Sequence, residues 1–243
     1  MKGWKSAWTA AVLIFMMAVL SGCLYPEEER AESSLPAKDA ILGVQTVVDQ
    51  FQKDRGLLPI LNSTEETPRY EKFQVDFAKL TRLNYISDIP AAAYEKGGSY
   101  FFLVINEETD PTVKLMNLVL YQQINDIQRE IQSYANKEGK LPKGEQLYPG
   151  YYRIAYDQIH VNEPKLVSVF TGQTLQAMMD EAGNVFIDYA GDIMQSIQKS
   201  DQSVTDPQQD LREILVDSSD FVPVKAPEYR LVNNEPQPVA AKQ

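Results

Sequence analysis

"AILGVQTVVDQFQKDRGLLP", residues 40–59, and "YQQINDIQREIQSYANKEGKLP", residues 121–142, carry the plan of this chain. In the first stretch Ile41, Val44, Val48 and Phe51 fall on one face of a helix, and Gly56 and Pro59 follow. In the second, Ile124, Ile127, Ile131 and Tyr134 keep that spacing, followed by Gly139, Leu141 and Pro142. Every pair is offset by 83 residues, Leu58 with Leu141 included. Apolar residues three and four apart mark an amphipathic helix. A glycine that can take a left-handed cap, then a proline that cannot continue the helix, marks its end. Two ordinary capped helices could share such an ending, but the ungapped run of matches favours an internal duplication.

Working outward, "YEKFQVDFAKL" (70–80) and "YYRIAYDQIHV" (151–161) both read as strands, with aromatic and β-branched residues in near alternation. "AYEKGGSYFFLVI" (93–105) and "MMDEAGNVFIDY" (178–189) each set a glycine turn before an apolar run, as a β-hairpin does, and align Gly98 with Gly183. Asp110-Pro111 predicts an early start for the second helix, an N-cap followed by proline at the first helical position. Asp206-Pro207, with Gln209 completing a capping box, predicts a third helix over "DPQQDLREIL". Beyond Val216 come four prolines: the first half is expected to dock as an extended strand and the last ten residues to be loose. The fold class is α+β, two tandem helix-then-β-hairpin or meander units with a C-terminal helix and an extended tail. The expected boundaries are 1–22 for a signal peptide, 23–37 for an acidic flexible tether, 38–113 and 114–199 for the two α+β units, and 200–243 for the C-terminal helix and Pro-rich tail.

The amino terminus decides the compartment. Lys2 and Lys5 precede Ala7–Leu20, where Thr9 is the one polar side chain. That pattern is a signal peptide, too short for a comfortable spanning helix of ~20 apolar residues. It ends in Leu20-Ser21-Gly22-Cys23, which resembles the bacterial lipobox. The resemblance implies cleavage between Gly22 and Cys23, a diacylglycerol on the Cys23 sulfur with palmitate-type acyl chains, and anchoring at the extracytoplasmic face of the cell membrane. An ordinary secretory signal with a cysteine beside it by chance is the alternative. Over these residues the chain is similar to the small lipoproteins of Bacillus-type bacteria. Cys23 is the sole cysteine, so a lipidated chain has no free thiol and no disulfide.

Composition narrows the chemistry. A formal net charge of −11, made more negative once Lys2 and Lys5 leave, repels phosphate backbones and argues against nucleic acid and against lying flat on a membrane. The one histidine, His160, has no serine elbow to serve and reads as a surface residue. Zinc is not expected and no cofactor is implied. Glu107, Glu108 and Asp110, then Asp180, Glu181, Asp188 and Asp192, lack the spacing of a calcium loop and read as solvated turns. The candidate binding surface is "LYPGYYRIAY" with Tyr148, Tyr151, Tyr152 and Tyr156, a possible platform for sugars or peptides; packing on a helix is the competing reading.

These readings combine into a lipid-anchored, non-enzymatic binding or interaction protein of the cell envelope. Its partners would be the membrane, through Cys23, and an envelope protein or glycan. Two alternatives stand beside it: a solute-binding component of a transporter, with a cleft between the units, and an envelope hydrolase using paired carboxylates.

Overall fold

The computed structural model describes residues 29–200 and 206–240. The lipobox, with Gly22 and Cys23, lies outside the described residues. Lys38 and the described residues beyond it make one compact unit.

The first half runs from helix α1 (Glu29–Arg55) through a 3-10 turn (Arg69–Glu71) and short helix α2 (Phe77–Arg82) to the antiparallel hairpin β1 (Tyr100–Ile105) and β2 (Thr112–Asn117). The second runs from helix α3 (Leu118–Glu138) through β3 (Lys143–Tyr148), β4 (Tyr151–Ile154) and short helix α4 (Tyr156–Ile159) to β5 (Leu166–Val167). It closes with the hairpin β6 (Thr174–Asp180) and β7 (Val185–Asp188). Helices α5 (Ala190–Ser200) and α6 (Arg212–Asp217) and the hairpin β8 (Tyr229–Val232) and β9 (Glu235–Pro238) follow. Strand β6 pairs with β4, β5 and β7, all antiparallel, and β3 extends the sheet beyond β4.

The duplication reaches single hydrogen bonds. Gly56 and Gly139 both stand at φ 67°, and their amides donate to Gln52 O at 2.8 Å and Ala135 O at 2.9 Å. A side chain rarely adopts that left-handed conformation, which is why glycine occupies both ends. Asp76 N donates to Pro59 O at 2.8 Å, and Ala155 N to Pro142 O at 2.9 Å. Those two donors stand ahead of α2 and α4 with φ, ψ of −82°, 80° and −84°, 80°. Most telling are two glutamines, Gln45 on α1 and Gln128 on α3. Gln45 Oε1 accepts from Val113 N at 2.7 Å and its Nε2 donates to Pro111 O at 2.9 Å. Gln128 repeats the pair with Val185 N at 2.8 Å and Gly183 O at 2.8 Å. Each helix thus clips the start of its repeat's last strand through one carboxamide, which has both a donor and an acceptor to offer.

The hydrophobic faces explain the stacking. Ile41, Val44, Val48 and Phe51 are buried, as are Ile124, Ile127 and Ile131. Strand β1 is buried on both faces: Leu103 and Ile105 join a core with α3 and the second repeat, while Phe102, on the alternate face, meets Phe77 edge-on at 5.4 Å. That core also takes Leu211, Ile214, Leu215 and Tyr229 from the C-terminal segment.

Several local expectations are corrected. The two strand-like segments turn helical at their second halves, Phe77–Arg82 and Tyr156–Ile159, because Asp76 caps the first and the short apolar spacing suits one helical turn as well as a strand. Gly98 and Gly183 are not equivalent. Gly183 lies in the β6–β7 turn, whereas Gly98 precedes β1, where a Cβ would come within 2.2 Å of the Ala92 backbone. Asp110-Pro111 does not start a helix: 112–117 pairs with β1 and Asn117 supplies the cap, accepting from Leu120 N at 3.0 Å. Asp206-Pro207 makes a turn, with Gln208 N on Asp206 Oδ1 at 2.8 Å, and the helix begins at Arg212. Helix α5 is an element the sequence reading passed over. The stretch expected as a flexible tether is helical from Glu29 on, since glutamate and alanine extend a nucleated helix readily. Phe221 does dock in extended form, bridging Leu115, but the tail expected to be loose forms β9.

Candidate functional site

The four tyrosines expected to form one surface are dispersed by the geometry of β4. Tyr151 points inward, 1% exposed, its ring edge-on to Phe186 at 5.8 Å and its hydroxyl donating to Val239 O at 2.8 Å. Burial pushes that hydroxyl up to about 12. Tyr152, next in the strand, faces the other way: Lys143 Nζ sits 4.5 Å from its ring centre and its hydroxyl reaches Glu181 at 3.3 Å. Tyr148 is half-buried and donates to Asp188 Oδ2 at 2.9 Å. Tyr156 opens α4, and its hydroxyl is buried without a hydrogen-bond partner. A single aromatic platform over Tyr148, Tyr151, Tyr152 and Tyr156 is therefore not formed. His160 is exposed at the end of α4 in a left-handed conformation, φ 54°.

Of the acidic residues of the second repeat, Glu181 is exposed in the β6–β7 turn as expected, whereas Asp180, Asp188 and Asp192 are not solvated turn residues. Asp180 is 3% exposed and caps the β6–β7 turn, accepting from Ala182 N, Asn184 N and Asn184 Nδ2 at 2.8–2.9 Å. Asp188 accepts from Tyr148, from the Tyr229 hydroxyl at 3.0 Å and from Ala190 N at 2.9 Å. Asp192 is buried and takes the Ser168 hydroxyl at 2.7 Å and that of Thr171 at 2.6 Å. Burial raises its pKa against those two hydrogen bonds. These three carboxylates hold the second repeat together and leave little capacity for substrate.

A different site emerges where the repeats meet the C-terminal segment. A cleft of about 370 Å³ is lined by Tyr70 and Glu71 of the first repeat, Gln128 and Phe186 of the second, and Arg212 and Lys225 beyond them. Tyr70 is held between two guanidinium groups, those of Arg69 at 5.3 Å and Arg212 at 5.1 Å from its ring centre. Arg212 is itself locked, forked onto Asp210 at 2.7–3.0 Å and donating to Ala226 O at 2.9 Å. Arg69 pairs with Glu213 at 2.8 Å. This ladder pins α6 to the first repeat.

Glu71 is the unusual member. Its side chain is nine-tenths buried, its Oε2 lies 3.6 Å from Lys225 Nζ, and its Oε1 has no hydrogen-bond partner. Burial raises its pKa, with Lys225 pulling the other way. Lys225 rests over the Tyr121 ring at 4.6 Å, on a backbone at φ 54°. A half-satisfied buried carboxylate beside a constrained lysine costs stability and recurs at sites kept for function. Sequence reasoning missed this group because Glu71 and Lys225 lie far apart in the chain and neither sits in a motif. The identity of Gln45 and Gln128 at the 83-residue offset was the readable signal of the clips.

Among the described residues no helix is long and apolar enough to cross a membrane, and no cluster of three or more His, Cys, Asp or Glu could hold a metal ion. No curated protein and no solved structure matches the chain. Residues 37–117, the first repeat from its helix to the end of β2, match the YphF family N-terminal domain.

Proposed function

We propose that the chain is a lipid-anchored binding or interaction protein on the extracytoplasmic face of a bacterial cell envelope, held by Cys23 and recognising its ligand without turnover in the cleft between the repeats. The carrying observation is Glu71, a nine-tenths-buried carboxylate with one oxygen unpaired, lining a cleft built from both repeats and the C-terminal segment. Binding sites are commonly such concavities between packed units. The short signal region and the lipobox support the anchor.

A transporter's solute-binding component is the second reading, favoured by the cleft's volume, which lies within the usual small-ligand range of roughly 300–1,000 Å³. A paired-carboxylate hydrolase has less support, since Asp180, Asp188 and Asp192 are committed to internal hydrogen bonds.

Wild type and Cys23→Ser are compared by detergent phase partitioning and intact mass. The wild type is expected in the detergent phase, heavier than its polypeptide from Cys23 by a lipid, and Cys23→Ser in the aqueous phase or unprocessed. An unmodified wild-type thiol sinks the anchor. The same wild-type protein, titrated with monosaccharides, amino acids and short peptides, is expected to gain thermal stability with at least one class, and Glu71→Gln to lose that gain.

A further inference from the structure

The two repeats differ in length at two places, and both differences fall on one cavity. Val113 and Val185, whose amides the glutamines clip, pair with Val104 and Met179. Between the paired residues the first repeat has eight residues, 105–112, and the second has five, 180–184. The bridge from Ile60 to Val75 likewise encloses fourteen residues, 61–74, where its counterpart from Lys143 to Ile154 encloses ten, 144–153. Glu65 and Glu66 from one longer loop and Glu107 and Glu108 from the other line a cavity of about 610 Å³. Its two cations are engaged elsewhere: Arg69 pairs with Glu213 at 2.8 Å, and Lys72 donates to the Glu65 carbonyl at 3.2 Å. Among the described residues the Glu107 and Glu108 carboxylates have no hydrogen bond and no ion pair.

This cavity adjoins the Glu71 cleft, since Glu66, Pro68 and Tyr70 line both. In the cleft Glu71 Oε1 lacks a donor, although its side chain is nine-tenths buried. Lys225 Nζ, 3.6 Å from Oε2, has N–H groups to spare, because an ammonium carries three. An acceptor beside a donor matches the edge of an extended peptide, where the N–H and C=O of one residue point the same way. Gln45 and Gln128 read a strand in that manner inside this fold, each taking one N–H and one C=O.

We propose that the cleft takes a basic peptide in extended form, its main chain on Glu71 and Lys225 and a lysine or arginine side chain in the adjoining acidic cavity, an inference that rests on the cleft as the binding site. Charge selects this occupant. A neutral glycan would satisfy Glu71 and leave the carboxylates of the cavity without a partner, and an acidic ligand would be repelled by them and by a chain of net charge −11. A basic peptide answers both the buried carboxylate and the acidic cavity. The second repeat keeps helix, cap and clip with shorter loops, so the fold itself does not require the added length that brings Glu65, Glu66, Glu107 and Glu108 together.

The test is calorimetric titration of the full chain at physiological salt with trilysine, trialanine and triglutamate, each acetylated and amidated so that only side chains differ, and with spermidine and monosaccharides. Trilysine is expected to bind about fivefold or more tighter than trialanine, and triglutamate not to bind. Glu107→Gln with Glu108→Gln should bring trilysine down to the trialanine level at an unchanged thermal midpoint. Asp157→Asn with Glu163→Gln, which removes two exposed charges from residues lining neither cavity nor cleft, should leave it as it was. Glu71→Gln should weaken both peptides. Trilysine no tighter than trialanine, or weakened equally by the two double variants, overturns the proposal as general attraction to an acidic protein. Spermidine that matches trilysine overturns the peptide. A monosaccharide that binds through Glu71 where no peptide does overturns the proposal and leaves the cleft standing, whereas binding that Glu71→Gln does not change, or no binding by any probe, removes both.

Discussion

Glu71 sets the sign of an unusual pH response. Its pKa is raised by burial above the ordinary value of 4.5, so between that value and the raised one the folded chain binds more protons than the unfolded chain. Its contribution therefore improves stability as pH falls from the raised pKa toward 4.5, and the full penalty is present above the raised pKa. Asp192 adds a shift of the same direction. The thermal midpoint of wild type minus that of Glu71→Gln, followed against pH, should grow on mild acidification and level off below about 4.5. A difference that is flat, or that shrinks on acidification, would show that Glu71 is not a strained carboxylate. Neither the burial of Glu71 nor its partner could be read from the sequence, because both depend on which distant segment covers residue 71. The same holds for Tyr151 and Tyr152: alternation says that they face opposite ways, but not which way is in.

Helix ends and glutamine clips are the elements that the two repeats share most closely. A Cβ at Gly56 or at Gly139 meets nothing within 4 Å, so alanine there costs only the left-handed backbone. Chemical denaturation of Gly56→Ala and Gly139→Ala should show losses of about 1 kcal/mol at each, equal within error. A marked inequality would mean that the two caps sit in different settings. These helices were legible because burial of one face and termination by glycine are both local properties of sequence. The segments after them were not, since "FQVDF" and "RIAYD" spend only a few residues in extended form before a helical turn. Asp110-Pro111 misled for a related reason: its capping chemistry was overridden by the pairing of 112–117 with β1.

As a whole the molecule is one α–β unit used twice, with a C-terminal segment bound across the seam. The unit was visible from a constant offset; the seam was not, because α6 and the hairpin β8–β9 reach it from a stretch whose prolines suggested a loose tail. Gln45 and Gln128 mark what the copies share most closely. The most direct test of the duplication is amide hydrogen exchange at Val113 and Val185 in wild type, Gln45→Ala and Gln128→Ala. Both amides should be protected in wild type, Gln45→Ala should release Val113 alone, and Gln128→Ala should release Val185 alone, each by about tenfold or more, the size of a lost buried hydrogen bond of roughly 1–3 kcal/mol. Free exchange of either amide in wild type, or a variant that releases the other repeat's valine, would contradict the account.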